Sequence, residues 1–291
     1  LGALDSLDEL EDITEIIVRS LDCLLDYQDY PLKSAELTSN NRRTLGIGVT
    51  NLAYYLAKND AKYSDGSGNE LIHKTFEALQ FYSLKASNKL AIEFGACPLF
   101  SETKYAQGIL PVDSYKKDID VFCNTKLELN WDSLRKDIKT SGLRNSTLTA
   151  LMPCESSSQI SNSTNGIEPP RGFISVKQSK DGILKQVVPE YEKLHKKYEL
   201  LWDIKDNEGY LQLCAIMQKF VDQSISTNTH YDPSKFEGNR VPMKLFLMDL
   251  LKAYKYGIKT LYYHTTRDGA SDDQSINSPS DDDCEDGVCK L

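Results

Sequence analysis

Thr147-Leu148-Thr149-Ala150-Leu151-Met152 opens directly onto Pro153-Cys154-Glu155-Ser156-Ser157-Ser158, and this stretch decides the fold. The first six residues form a short β-prone run, and the next six precede a helical turn. Downstream, Phe173 to Lys177, Ile183 to Val188, Ser224 to Asn228 and Lys259 to Tyr263 read as further strands. Helical spacing over Glu190 to Leu201, Tyr210 to Val221 and Pro242 to Tyr256 separates several of them. Such alternation argues for an α/β fold with a parallel sheet. About five strands are fewer than the roughly eight that fill a small closed barrel, so either the sheet is open or the rest lies on another polypeptide.

Upstream of Gly142 the pattern is helical. Ser6 and Glu9 make a capping-box pair, and Leu7, Leu10, Ile13, Ile17, Leu21 and Leu24 recur at helical spacing, which predicts an amphipathic helix over 7–26. Leu45, Val49, Leu52 and Leu56 predict a second helix. A third runs from about Glu70 to Phe94, with Asn69 to cap it and Gly95 to stop it.

The chain has 291 residues, 40% hydrophobic and 26% charged, which excludes collagen, a wholly disordered chain and a disulfide-packed toxin. No window nears the roughly 18 uninterrupted apolar residues of a membrane-spanning helix, so no membrane partner is expected. Acids outnumber bases by 43 to 34, and a net charge of -9 disfavours nucleic acid as a partner. Most of that excess lies between Ala270 and Leu291, a stretch of acids and small polar residues with almost nothing apolar to bury. Residues 270–291 are therefore expected to be a disordered acidic tail. Leu1 is followed by no basic or apolar leader, so the cytoplasm is the default location. Seven cysteines, an odd number, fit reduced thiols better than a disulfide framework.

Three groups of residues carry chemistry. Cys284 and Cys289 sit in the acidic tail, where packing gives no reason for thiols, and the four residues between them include Gly287. That spacing permits a loop tight enough for a disulfide, while a zinc site would need two more ligands that the tail lacks. Neighbouring carboxylates raise the thiol pKa values, favouring a dithiol pair that exchanges electrons with a partner. Pro153, Cys154, Glu155, Ser156 and Ser157 gather hydroxyls and backbone N–H groups at a helix N-terminus, which suits a phosphate; serines also cap helices with no ligand present. Tyr262 and Tyr263 end the last strand. Adjacent strand residues ordinarily point to opposite faces, whereas two phenols in contact can relay a radical. Gly46-Ile47-Gly48 fails as a dinucleotide fingerprint, since Asn51 holds the third glycine position. His73, His195, His230 and His264 form no metal motif, and no metal or cofactor is expected to be bound by this chain.

Taken together, Arg42-Arg43-Thr44-Leu45-Gly46-Ile47-Gly48, Gly142-Leu143-Arg144-Asn145-Ser146-Thr147, Met152-Pro153 through Gln159, Asn165-Gly166-Ile167-Glu168-Pro169-Pro170-Arg171 and Leu261-Tyr262-Tyr263 resemble the large (α) subunit of class Ia ribonucleoside-diphosphate reductase, most closely bacterial and phage forms. The likeness covers nearly the whole chain and corresponds to the C-terminal part of that subunit. It implies that residues 1–269 are part of a ten-stranded α/β barrel and that 270–291 are a redox tail. It implies a reaction in which the 2'-hydroxyl of a ribonucleoside diphosphate is replaced by hydrogen through a thiyl radical. Pro153 to Ser157 would bind the substrate phosphates, Tyr262 and Tyr263 would end the radical path from the small subunit's metal-tyrosyl centre, and Cys284 and Cys289 would reduce the active-site disulfide and be regenerated by thioredoxin or glutaredoxin. Cys154 departs from the resemblance, which has serine there. The thiyl-forming cysteine, the disulfide pair and the nucleotide-effector sites correspond to sequence upstream of Leu1.

An N-terminal large-subunit piece and the small subunit are thus expected partners, as in a gene naturally split in two, with a fragment of a longer polypeptide as the other explanation. A different class of function also fits the residues: a non-enzymatic α/β module that holds a phosphorylated ligand at Glu155 to Ser158 and recruits partners through its tail.

Overall fold

A computed structural model describes residues 1–179, 182–267, 284–285 and 288–289, with backbone alone for 177–179, 182–183, 284–285 and 288–289. Its helices are α1 (Glu9–Tyr27), α2 (Lys33–Arg42), α3 (Leu52–Lys58), α4 (Asn69–Phe94), α5 (Trp131–Ser141), α6 (Glu155–Ile160), α7 (Tyr191–Leu194), α8 (Glu208–Gln218) and α9 (Met243–Tyr256). Its strands are β1 (Ile174–Ser179), β2 (Gly182–Val187), β3 (Thr227–Tyr231) and β4 (Leu261–Thr266), with the two-residue pair β5 (Cys284–Glu285) and β6 (Val288–Cys289). Among the described residues no helix is long and apolar enough to cross a membrane.

A parallel array organises the core. Ile47 bridges Thr149, Leu151 bridges Ile225, and β3 pairs with β4, all in parallel. Backbone bonds continue the first two pairings: Leu45 N–H donates to Thr147 O, Leu151 N–H to Ser224 O and Ser226 N–H to Leu151 O. The order is therefore 45–49, 147–151, 223–231, 261–266. Helix α8 backs the array, with Leu211, Leu213, Cys214, Ile216 and Met217 all buried. The long helix α4 packs between α8 and α1.

Several expectations need correction. Segment 45–49 is extended, and helix begins only at Leu52. Leu45, Ile47 and Val49 alternate with Gly46 and Gly48, so one face is buried and the other stays thin. The predicted helix over Glu190 to Leu201 shrinks to the single turn α7. Side chains hold the rest as turns: Tyr198 Oη donates to Pro189 O at 2.8 Å, and the Glu199 carboxylate accepts from Tyr63 N–H at 2.5 Å. β1 and β2 occupy the predicted stretches but pair with each other as an antiparallel hairpin instead of joining the parallel array. The last two strands fall two or three residues later than their sequence patterns begin. The capping expectation for α1 holds in part, since Glu9 Oε1 accepts from Ser6 N–H at 2.9 Å while Ser6 Oγ accepts from Asp8 N–H. Asn69 makes no cap and instead donates to Phe122 O.

Candidate active site

Parallel strands present all their C-terminal ends on one side, and there α/β folds place their ligands. Leu151 is level with Ile225, and Thr227 with Leu261. Two residues further along each strand, the turn at Pro153 to Ser157 and the pair Tyr262–Tyr263 leave the same edge. The site is built from the ends of 147–151, β3 and β4.

Asn165 shapes the loop after Met152. Its Oδ1 accepts from Cys154 N–H at 2.8 Å, and its Nδ2 donates to Glu155 Oε1 at 3.0 Å. Met152, Pro153, Glu155, Ser156 and Ser157 are exposed, Cys154 is half-buried and Ser158 is buried with its Oγ turned back to Glu155 O. Burial and the neighbouring Glu155 charge push the Cys154 thiol up, so at neutral pH it is a protonated, unreactive group. The short helix α6 starts here, and first-turn amides have no intrahelical acceptor. A cavity of about 370 Å³ opens beside this loop, lined by Glu155, Ser158, Asn165, Glu168, Arg171 and Gln186 among others. A larger one, about 510 Å³, lies at the opposite end, among Thr44, Thr147, Asp222 and Lys259, which precede or begin the strands; none of the predicted site residues lines it.

Tyr262 and Tyr263 are 50% and 56% exposed, and they do not point to opposite faces. Tyr263 Oη donates to Tyr262 Oη at 3.1 Å, with ring centroids 4.0 Å apart and an interplanar angle of 49°. The cause is a β-bulge. Thr227 pairs with Leu261 but Thr229 pairs with His264, so two residues on β4 face the single residue Asn228 on β3. An extra residue resets the side-chain alternation and brings both phenols to one side. The hydrogen bond that it shares with Tyr263, and the neighbouring Tyr263 charge, hold the Tyr262 phenol above its ordinary pKa.

Asn228 occupies the bulge. Its Oδ1 accepts from Tyr263 N–H at 2.9 Å, and its Nδ2 donates to Glu168 Oε1. Burial pushes the Glu168 carboxyl up, but His230, with Nε2 at 3.6 Å, and the Asn228 amide outweigh it and hold the group below its usual range. Asn165, Glu168 and Asn228 thus connect the loop to the tyrosines, and the sequence reading assigned none of them a role. Asn165 and Glu168 stand in one of the stretches that carried the resemblance. Asn228 had one signal, an amide inside a predicted strand.

Cys284 and Cys289 are backbone partners in the β5–β6 pair, and their side chains lie outside the described residues, as does most of the 270–291 tail. Among the described residues no group of three or more His, Cys, Asp or Glu is assembled to hold a metal ion.

The family model described as ribonucleotide reductase, barrel domain, matches residues 3–264. The ribonucleoside-diphosphate reductase subunit alpha of Haemophilus influenzae is 65% identical over 291 residues, all of this chain and 38% of its own length. The subunit alpha of ribonucleoside-diphosphate reductase 1 from Escherichia coli K12 is 65% identical over 269 residues, 92% of this chain and 35% of its own length. The subunit alpha from Enterobacteria phage T4 is 50% identical over 287 residues, 98% of this chain and 37% of its own length. The chain spans well under half the length of these relatives.

Proposed function

The chain belongs to the ribonucleotide reductase barrel-domain family, and from that premise we propose that it works as the C-terminal part of a class Ia ribonucleoside-diphosphate reductase large subunit. In this reading the four parallel strands are part of a ten-stranded barrel completed by an N-terminal large-subunit piece. The reaction is a two-electron reduction of a ribonucleoside diphosphate. The C2'–OH bond breaks, the oxygen leaves as water, a C2'–H bond forms and two thiols become one disulfide.

The residues of this chain take three parts in it. Pro153, Cys154, Glu155, Ser156 and Ser157 hold the substrate phosphates, through first-turn amides and exposed hydroxyls, with Glu155 the one of the five that lines the 370 Å³ cavity. Tyr262 and Tyr263 relay the oxidising equivalent. The electron crosses between the adjacent, tilted rings while the proton moves along the hydroxyl-hydroxyl bond. Cys284 and Cys289, in the 270–291 redox tail, deliver the two electrons and are regenerated by thioredoxin or glutaredoxin. The metal-tyrosyl centre of a small subunit supplies the unpaired electron when bound, and nucleotide effectors act on the N-terminal part.

The observation that carries this reading is the tyrosine pair, two half-exposed phenols bonded at 3.1 Å on the strand edge that also carries the serine loop. An ordinary strand would have separated them. Its test is reconstitution with the N-terminal piece and the small subunit, assayed as conversion of CDP to dCDP. Tyr262→Phe and Tyr263→Phe should each abolish turnover, and normal turnover by either one refutes the relay. The Cys284→Ser/Cys289→Ser variant should fail with thioredoxin and keep activity with a small dithiol.

A further inference from the structure

We propose that Asn228 is a positioning residue for the tyrosine pair, with Glu168 setting the direction of its amide. The inference rests on the relay reading for its significance, but its geometry stands apart from it. Inserting one residue into β4 deprives Tyr263 N–H of a ladder acceptor, and an unpaired donor there would drive the strand back into regular register. Asn228 Oδ1 supplies the missing acceptor at 2.9 Å. His264 Nδ1 with Thr229 Oγ1 at 2.6 Å closes the far side of the bulge.

An asparagine can present either end of its amide, and only one end accepts. Glu168 removes the ambiguity. Its carboxylate is held ionised below the usual range by His230 and Asn228 against the cost of burial, and an ionised carboxylate can only accept. The Asn228 NH₂ is therefore committed to Glu168, and its oxygen to Tyr263 N–H. The chain of dependence runs from His230 through Glu168 and Asn228 to the β4 backbone, and from there to the distance between two phenols. Asn228 reaches the tyrosines only through the backbone, so it positions and does not react.

The test reads the pair itself, in the full chain, with 3-fluorotyrosine placed at 262 or 263 and followed by 19F NMR across pH. Asn228→Leu should lower the Tyr262 phenol pKa toward its ordinary value and collapse the shift difference caused by the adjacent ring. Asn228→Asp sets two carboxylates against each other and should do the same. Asn228→Asp combined with Glu168→Gln reverses the inner bond, keeps an acceptor for Tyr263 N–H, and should restore the parent spectrum. In the reconstituted enzyme the single variants should lose about a hundredfold in kcat with KM unchanged, the scale expected for misplaced reacting groups.

An unchanged spectrum in folded Asn228→Leu overturns the proposal, and so does a double variant no closer to the parent than Asn228→Asp. Restored spectra alongside a fully active Tyr262→Phe enzyme would leave the positioning intact and defeat the relay instead.

Discussion

Gly46 and Gly48 are equivalent by sequence pattern and opposite by environment, so substituting each with alanine separates packing from chain entropy. Neither glycine has a positive φ, so an L-residue fits the backbone at both. At Gly46 a new Cβ would lie 3.5 Å from Met152 Cε and 3.9 Å from Ala150 Cβ, which are ordinary contacts. At Gly48 it would lie 2.8 Å from Met152 Sδ and 2.9 Å from the Ala150 carbonyl oxygen. The thioether can swing aside, but the carbonyl belongs to the neighbouring strand and cannot move without disturbing 147–151. Gly→Ala gains about 0.4–1 kcal/mol by restricting the unfolded chain. Overpacking costs about 1–3 kcal/mol. Gly46→Ala should therefore be neutral or stabilising. Gly48→Ala should lose a net amount of about 1–2 kcal/mol, or roughly 2–8 °C in Tm at about 2–4 °C per kcal/mol for a chain somewhat smaller than this. Thermal and urea unfolding of the two variants beside the parent reads this directly. If both shift stability in the same direction by the same amount, the close approach of 45–49 to 147–151 is wrong, and with it the register that places Pro153.

Burial and the like charge of Lys219 lower the His73 imidazole from its ordinary 6.5 to about 4. Between those values the unfolded chain binds a proton that the folded one refuses, so this stability is complete above pH 6.5 and is lost as pH falls toward 4, on the order of 3 kcal/mol. His73→Gln should flatten that limb of the stability-pH curve, and parallel curves for variant and parent would count against the assignment. Arg43, 3% exposed, bonds Asp22 Oδ1 at 2.7 Å and Asp26 Oδ1 at 2.7 Å, while Asp22 also accepts from Arg144 and Asn145. Arg43→Met leaves Asp22 buried with weaker compensation and should cost about 3 kcal/mol in denaturant unfolding. A loss below about 1 kcal/mol would mean that Arg144 and Asn145 suffice.

Local pattern made α1, α4 and α9 legible, because each carries an apolar face over many turns and a stop signal such as Gly95 or Gly257. It failed at 45–49, where Leu45, Val49 and Leu52 share helical spacing by coincidence while Leu45, Ile47 and Val49 also satisfy the strand period. Two periods fit, and only the neighbouring strand decides between them. The β1–β2 hairpin was within reach of the sequence. Five residues ending in Asp181-Gly182 separate the two predicted runs, too few for the dozen or so that a parallel crossover needs. At Glu190 to Leu201 the helix lost to side-chain bonds from distant segments, Tyr63 among them, which no local window contains.

The site divides the same way. A tyrosine pair and a serine turn can be seen as letters, but their meeting on one strand edge depends on register, and register is a property of two strands. The bulge is the sharpest case, since the letters of β4 alone predict phenols on opposite faces and the residue that prevents this lies 35 positions away. Register also exposes what the array lacks. Among the described residues, 45–49 and β4 each pair on one side only, and parallel strands are ordinarily covered on both faces. β4 instead leaves Tyr262, Tyr263 and His264 open to solvent. Under the proposed reading, the surface that completes the barrel beside β4 would also cover the phenols. Assembly of the barrel and covering of the relay are then one event.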